Sequence, residues 1–325
     1  MTRQTLIALM LVSLLPTGAA AQVTFERLLN ADEEPENWLT YSGSYSSNRH
    51  TKLDQITPDN VEDLELSWVF QAGSLEAFQA TPLVVDGIMY LTEPVNNVVA
   101  LDAKRGSVFW KFEYTPSADA RPCCGAVNRG LAILDDTLFL ATLDGNLIAL
   151  DAVAGKPLWQ TTVADPTEGY ALTLAPLVIK DKVMVGVAGG EYGIRGYIDA
   201  YDAKTGELAW RFYTIPGPGE PGHETWENDA WKTSGSANVW AAMSADEELG
   251  YVYLPVSTPS HDFYGGERPG DNLFGESLVC VKAETGERVW HYQLIHHILL
   301  EKKQAWHQHE RRYLKVYLQR DYLLN

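Results

Sequence analysis

Cysteine is nearly missing from this sequence, with three in 325 residues. That is too few for a scaffold built on disulfides. Positive charge is also in deficit: 25 Lys and Arg face 43 Asp and Glu, a net charge of −18. Nucleic-acid binding relies on a basic surface that neutralises phosphates, so nucleic-acid partners are excluded. The acidic balance reads as solubility. An apolar run over residues 6–15 falls short of the ~20 residues that cross a bilayer, so no membrane span is expected. Arg3 precedes that run and Ala19-Ala20-Ala21 follows it, the pattern of a cleaved export signal over residues 1–21. The expected mature start is Gln22 and the expected address is the periplasm. No cysteine follows the signal, so no lipoprotein anchor is expected, and no Cys-x-x-Cys-His occurs to attach a c-type haem.

What the sequence does have is a recurring phrase that ends in tryptophan. Leu101-Asp102-Ala103-Lys104-Arg105-Gly106 runs on to Trp110, and Leu150-Asp151-Ala152-Val153-Ala154-Gly155 to Trp159. The phrase returns before Trp210 and before Trp290, and a degenerate first copy ends at Trp68. Each copy reads as a strand, a tight turn closing on Gly, and a second strand. Hairpin signals such as Val85-Asp86-Gly87-Ile88 supply two more strands per unit. Four short strands repeated about every forty to fifty residues are the signature of a β-propeller. The tryptophan spacings are 42, 49, 51 and 80, and the long gap holds a Pro-, Gly- and Trp-rich insertion over residues 215–231. Insertions in repeat proteins gather on one face and often build the site. Residues 298–325 change character. They hold six Lys and Arg, three Asp and Glu, and no Gly or Pro, and read as a basic tail outside the blades.

Cys280 lies in an apolar strand and reads as a buried small hydrophobe. Cys123 and Cys124 are adjacent, which is chemically particular. Neighbouring Cα atoms across a trans peptide are about 3.8 Å apart, whereas disulfides prefer roughly 4.4–6.8 Å. A bridge would close a strained ring of the kind kept for function. The alternative is two thiols in a loop. Pro122 and Gly125 mark a tight turn that suits the ring, and so does an oxidising compartment.

Cys123-Cys124-Gly125-Ala126-Val127-Asn128-Arg129-Gly130 resembles the cysteine motif of quinoprotein dehydrogenases, the pyrroloquinoline quinone (PQQ)-dependent alcohol and methanol dehydrogenases. Gly189-Gly190-Glu191-Tyr192-Gly193-Ile194-Arg195-Gly196 resembles a second family motif. Asp229-Ala230-Trp231-Lys232, Trp240 and Arg268-Pro269-Gly270-Asp271-Asn272 resemble three more. The resemblance implies an all-β fold, an eight-bladed propeller with PQQ and a Ca²⁺ or lanthanide ion at its axis. Residues 22–297 would form an incomplete version with about five blades, one per tryptophan. It also implies the site. The Cys123–Cys124 ring would lie on one face of PQQ and Trp240 on the other. Arg129 would hydrogen-bond the quinone oxygens, and Thr173 would hold a carboxylate. Gly189 and Gly190 would line the cofactor, and Glu191 would ligate the ion. The implied reaction is oxidation of an alcohol or sugar, with a c-type cytochrome or a quinone as electron acceptor.

The sequence departs from the family at several places. Gln79 stands where many relatives carry Glu, and Ala188 where several carry Ser. The asparagine ligand expected after residues 251–254 is replaced by Ser257 or Thr258, and Thr258 becomes the second candidate metal ligand. These changes point to fewer polar contacts or to a sugar-oxidising branch. The family's Trp-Asp pair, which bears the catalytic base, does not occur after residue 290. The chain is therefore expected to be a truncated form without its base, and no catalytic residue is assigned. The competing reading is a non-catalytic propeller that binds other proteins. The adjacent cysteines and Gly190-Glu191 favour the enzyme family, because a scaffold has no use for them.

Overall fold

The structure, a computed structural model, describes residues 23–261 and 263–299. The proposed signal and all but the first two residues of the basic tail lie outside them. The described chain builds four four-stranded antiparallel sheets, each with its strands in chain order. The first contains β1 (Leu83–Val85), β2 (Ile88–Glu93), β3 (Asn97–Asp102) and β4 (Val108–Phe112). The second contains β5 (Ala132–Leu134), β6 (Thr137–Ala141), β7 (Asn146–Asp151) and β8 (Pro157–Thr162). The third contains β9 (Leu177–Ile179), β10 (Lys182–Gly186), β11 (Tyr197–Asp202) and β12 (Leu208–Tyr213). The fourth contains β13 (Ser244–Asp246), β14 (Tyr251–Pro255), β15 (Ser277–Lys282) and β16 (Arg288–Gln293).

The middle strands of the second and third sheets are covered on both faces. Every residue of β10 is buried, as is all of β7 except Asp151. This explains their unbroken apolar runs, since alternation is lost when neighbouring blades cover both faces. The outer strands β4, β8 and β12 keep exposed positions, Phe109 and Leu158 among them.

The repeated phrase welds each blade to the next. Asp102 Oδ1 accepts the backbone N–H groups of Lys104 and Arg105, and Asp151 and Asp202 fold their own turns the same way. The turn then closes on a glycine with φ of +69° at Gly106, +66° at Gly155, +72° at Gly206 and +71° at Gly286. The tryptophan of the preceding unit lies flat on that glycine. A Cβ on Gly155 would stand 2.5 Å from the Trp110 ring, and one on Gly206 2.7 Å from that of Trp159. Each indole also donates to the turn: Trp110 Nε1 to Ala152 O at 3.1 Å, Trp159 Nε1 to Ala203 O at 3.2 Å, and Trp210 Nε1 to Ala283 O at 2.9 Å. A glycine is required here twice over, for its positive φ and for the absent side chain.

Trp68 docks on Gly106 and donates to Ala103 O at 3.2 Å, so the first of the five expected units keeps its tryptophan. It forms no sheet among the described residues, and Leu64, Leu66 and Val69 are exposed. An N-terminal arm ties the blades together. Trp38 bridges Val84, Val23 bridges Asp135, and Tyr45 Oη donates to Val178 O at 2.5 Å. Arg27 pairs with both Glu34 and Asp86.

Candidate functional site

In a four-stranded meander the second and fourth strands run the same way. The connections after them therefore leave the sheet at one end, opposite the tryptophan turns. Every expected site residue except Gln79 lies on such a connection. Gln79 is exposed on the segment leading into β1, and that segment runs beside the site through the Thr81–Gly130 bridge.

The β4–β5 connection carries the cysteines and is fastened at both ends. Near its start, Asp144 accepts Tyr114 Oη at 2.9 and 3.0 Å, Ser117 N at 2.9 Å and Thr142 Oγ1 at 2.6 Å. Burial works against the charged form of Asp144, but hydrogen bonds led by Thr142 and Ser117 more than offset it. Its carboxyl therefore lies below the ordinary range. Near the other end, Ala141 O accepts Asn128 Nδ2 at 2.9 Å and Asn96 Nδ2 at 3.2 Å. Between these anchors Cys123 and Cys124 are exposed free thiols with their sulfurs 2.7 Å apart.

Glu191 sits on the single turn Gly190–Tyr192, between Gly189 at φ +114° and Gly193 at φ +71°. A Cβ on Gly189 would collide with Gly169 O, and one on Gly190 with Ser236 Oγ. These glycines let the β10–β11 loop nest against its neighbours and hold Glu191 outward. The ligand atoms of Cys123, Cys124 and Glu191 lie within 4.8 Å of one another. Desolvation of its sulfur pushes the Cys123 thiol well up, and the Cys124 thiol and the Glu191 carboxylate add to that.

Arg129, Thr173 and Trp240 form a second group. Thr173 O accepts Arg129 N at 3.2 Å and Arg129 Nη1 at 3.1 Å. The guanidinium carbon stands 4.8 Å from the centre of the Trp240 ring, within cation–π range. The segment over residues 235–240 links the two groups: Ser236 pairs with Arg195 on one side and with Pro259 on the other.

Thr258 is buried, and its hydroxyl donates to Glu276, itself buried. Beside it Ser257 Oγ donates to Asn238 Oδ1 at 2.6 Å and accepts Asn238 N at 3.1 Å, and Ser236 Oγ donates to the same Oδ1 at 3.2 Å. Arg268, read as part of a family motif, is 2 % exposed; its Nη1 donates to Asn272 Oδ1 at 2.8 Å and its Nη2 to Ile298 O at 3.1 Å. Sequence reasoning missed Asp144, Asn96 and Glu276. The only signal for Asp144 was the turn Thr142-Leu143-Asp144-Gly145-Asn146, which reads as an ordinary hairpin.

A separate crevice lies between the N-terminal arm and the second and third blades, lined by Thr40, Ser44, Ala175 and Val178. Its volume of about 30 Å³ suits a water molecule and not an organic cofactor.

The PQQ family of glucose, ethanol and alcohol dehydrogenase β-propeller domains matches residues 38–302. The quinohemoprotein alcohol dehydrogenase ADH-IIG of Pseudomonas putida is 41 % identical over 290 residues, covering 84 % of this chain and 40 % of that protein. A lanthanide-dependent methanol dehydrogenase of Methylacidiphilum fumariolicum is 37 % identical over 292 residues, covering 83 % and 48 %. The solved structure of ADHIIG from Pseudomonas putida HK5 superposes with a TM-score of 0.80 at 40 % identity, over 85 % of this chain and 42 % of that one. The chain thus spans less than half the length of these relatives.

Proposed function

The chain belongs to the PQQ family of glucose, ethanol and alcohol dehydrogenase β-propeller domains, and from that premise we propose that its loops hold PQQ with Ca²⁺ or a lanthanide in a periplasmic enzyme that oxidises an alcohol or a sugar. The observation that carries this reading is the meeting of Cys123, Cys124 and Glu191, from two separate blades, within 4.8 Å. A second group, linked to them through residues 235–240, holds a guanidinium and an indole face already in contact. The indole face and the guanidinium suit a planar, anionic quinone, and the Glu191 carboxylate suits a hard cation.

The proposed roles follow from the chemistry of each side chain. Trp240 offers an aromatic face for stacking. With an oxidant of the periplasm taking up the two electrons and two protons of the thiols, the cysteine pair would close into a compact ring on the opposite face. Arg129 is tethered to Thr173 O, so its charge is placed before the cofactor arrives and stabilises negative charge on the quinone oxygens. The Thr173 hydroxyl and Gln79 add polar contacts. Gly189 and Gly190 let backbone approach closely, and Glu191 supplies an anionic oxygen to the cation. Thr258 would add a second oxygen ligand, its hydroxyl turning from Glu276. The bound quinone supplies a two-electron acceptor for the hydride of the substrate. The electron acceptor is proposed to be a c-type cytochrome or a quinone.

The test is retention of PQQ. Protein incubated with PQQ and Ca²⁺ or La³⁺ is passed through gel filtration. Quinone absorbance co-eluting at about one per chain, and dependent on the ion, is the expected outcome. PQQ that elutes free with either ion overturns the reading.

A further inference from the structure

The same cysteines and carboxylate make a second kind of site. We propose that the dithiol form of Cys123, Cys124 and Glu191 binds one thiophilic divalent cation, Zn²⁺ or Cd²⁺, through both sulfurs and one carboxylate oxygen. Among the described residues this is the one group of three His, Cys, Asp or Glu side chains whose ligand atoms all lie near one another. Its composition is what matters. Ca²⁺ and lanthanides prefer hard oxygen donors, whereas thiolates select Zn²⁺ and softer ions. Two sulfurs and one oxygen therefore match a different ion from the one that accompanies the quinone.

The geometry is close to what such an ion needs. Zn–S bonds of about 2.3 Å and Zn–O bonds of about 2.0–2.2 Å in a tetrahedron put these ligand atoms roughly 3.5–3.8 Å apart. The three donors here are within 4.8 Å of one another, so each shifts by about an ångström or less. The sulfurs, at 2.7 Å, must spread by about that much. The chain allows it, because both cysteines are exposed and Gly125 at φ +89° has open space around it. The ends of the loop stay fixed by Asp144 and Asn128. Glu191 is exposed and held by its flanking glycines, so an ion can enter and a fourth position stays open to water.

The step is an exchange of protons for metal. Each thiol loses one proton, two S–metal bonds form, and Glu191 adds one O–metal bond; no atom changes oxidation state. A consequence follows for the proposed quinone site, and this part alone rests on that reading. Glu191 cannot serve both ions, and spread sulfurs no longer present a flat face. Zn²⁺ on the dithiol should therefore exclude PQQ and Ca²⁺.

The experiment reads metal first, with no quinone present. Protein reduced with a phosphine and desalted anaerobically is titrated with Cd²⁺, followed by thiolate-to-metal absorption, and with Zn²⁺ against a chromophoric chelator. The expected result is one ion per chain. Loss of a partner around a metal ligand costs about 10–100-fold in affinity, so Cys123→Ser, Cys124→Ser and Glu191→Gln should each weaken binding at least about tenfold. Cys280→Ser, at a fully buried position in β15, should leave it unchanged. Circular dichroism of each variant establishes that it folds. Absence of saturable Cd²⁺ uptake, or uptake that Glu191→Gln leaves untouched, overturns the three-ligand site. A final arm adds PQQ and Ca²⁺ to the Zn²⁺-loaded protein and to the same protein after chelation. Metal binding without competition removes only the exclusion, and PQQ failing to bind even the chelated protein counts against the quinone reading alone.

Discussion

Asp144 is the residue whose loss should be felt furthest from where it sits. Its carboxylate, 6 % exposed, gathers Tyr114 Oη, Ser117 N and Thr142 Oγ1. In Asp144→Ala the Thr142 hydroxyl keeps an acceptor in Asn146 O at 3.1 Å. The Ser117 N–H and the Tyr114 hydroxyl lose theirs. Hydrogen bonds to a charged group are worth about 1.5–3 kcal/mol each, so two lost bonds sum to roughly 3–6 kcal/mol; Ser117 is exposed and water replaces part of its bond, which leaves roughly 3–4 kcal/mol of destabilisation in urea unfolding, above the usual range of about 0.5–3 kcal/mol. Asp144→Asn keeps one acceptor and should cost about half of that. The pH dependence follows from the sign of the shift. The folded pKa of Asp144 is depressed. Its contribution is therefore complete above the unfolded value of about 3.9 and is lost as pH falls through the folded one. The stability gap between wild type and Asp144→Asn should narrow below about pH 4. A gap under about 0.5 kcal/mol, the range of ordinary surface changes, or one that stays constant down to pH 3, would refute the reasoning.

Other outcomes test the blades and the thiols. Gly155→Ala sets a Cβ 2.5 Å from the Trp110 ring at φ +66°, whereas Gly87→Ala at φ +82° meets nothing within 4 Å. The first should cost about 1–2 kcal/mol for its backbone and more for the collision, the second only the backbone share; equal melting-temperature losses would contradict the docking account. Arg211→Met leaves the Asp199 carboxylate buried without the guanidinium that contacts it at 2.6 Å, and should cost about 3–5 kcal/mol in urea. Burial pushes the Cys280 thiol up to about 12, so maleimide should label it only in denaturant, counted by mass spectrometry of the digested protein.

The blades were legible because the tryptophan phrase does two jobs in a fixed order, turning on glycine and docking on the next turn. That kind of constraint repeats, so it shows in one sequence. Trp68 shows the limit: its docking survives, but its neighbours Leu66 and Val69 are exposed and pair with no strand among the described residues. Cys123, Cys124, Arg129 and Glu191 stood out through motifs, and the fold brings them into two linked groups. Asp144, Asn96 and Glu276 were not legible. Each acts across a distance in sequence, as when Asp144 holds Tyr114 or Asn96 holds Ala141. A single buried polar residue has no period to reveal it. Thr258 reads in the sequence as a candidate metal ligand; it is buried with its hydroxyl on Glu276, a partner no local spacing announces.

The central claim is that one set of loops holds a quinone through a stacking face and a cation ligand together. The direct measurement is a PQQ titration followed by tryptophan fluorescence, run with Ca²⁺ or La³⁺ on wild type, Trp240→Ala and Glu191→Gln. Wild type should bind at about one per chain. Trp240→Ala should weaken binding about tenfold with either ion, as expected when roughly 1–1.5 kcal/mol of aromatic contact is lost. Glu191→Gln should abolish the dependence on the ion. Affinities that coincide in all three proteins, or binding indifferent to the ion in wild type, would contradict the account.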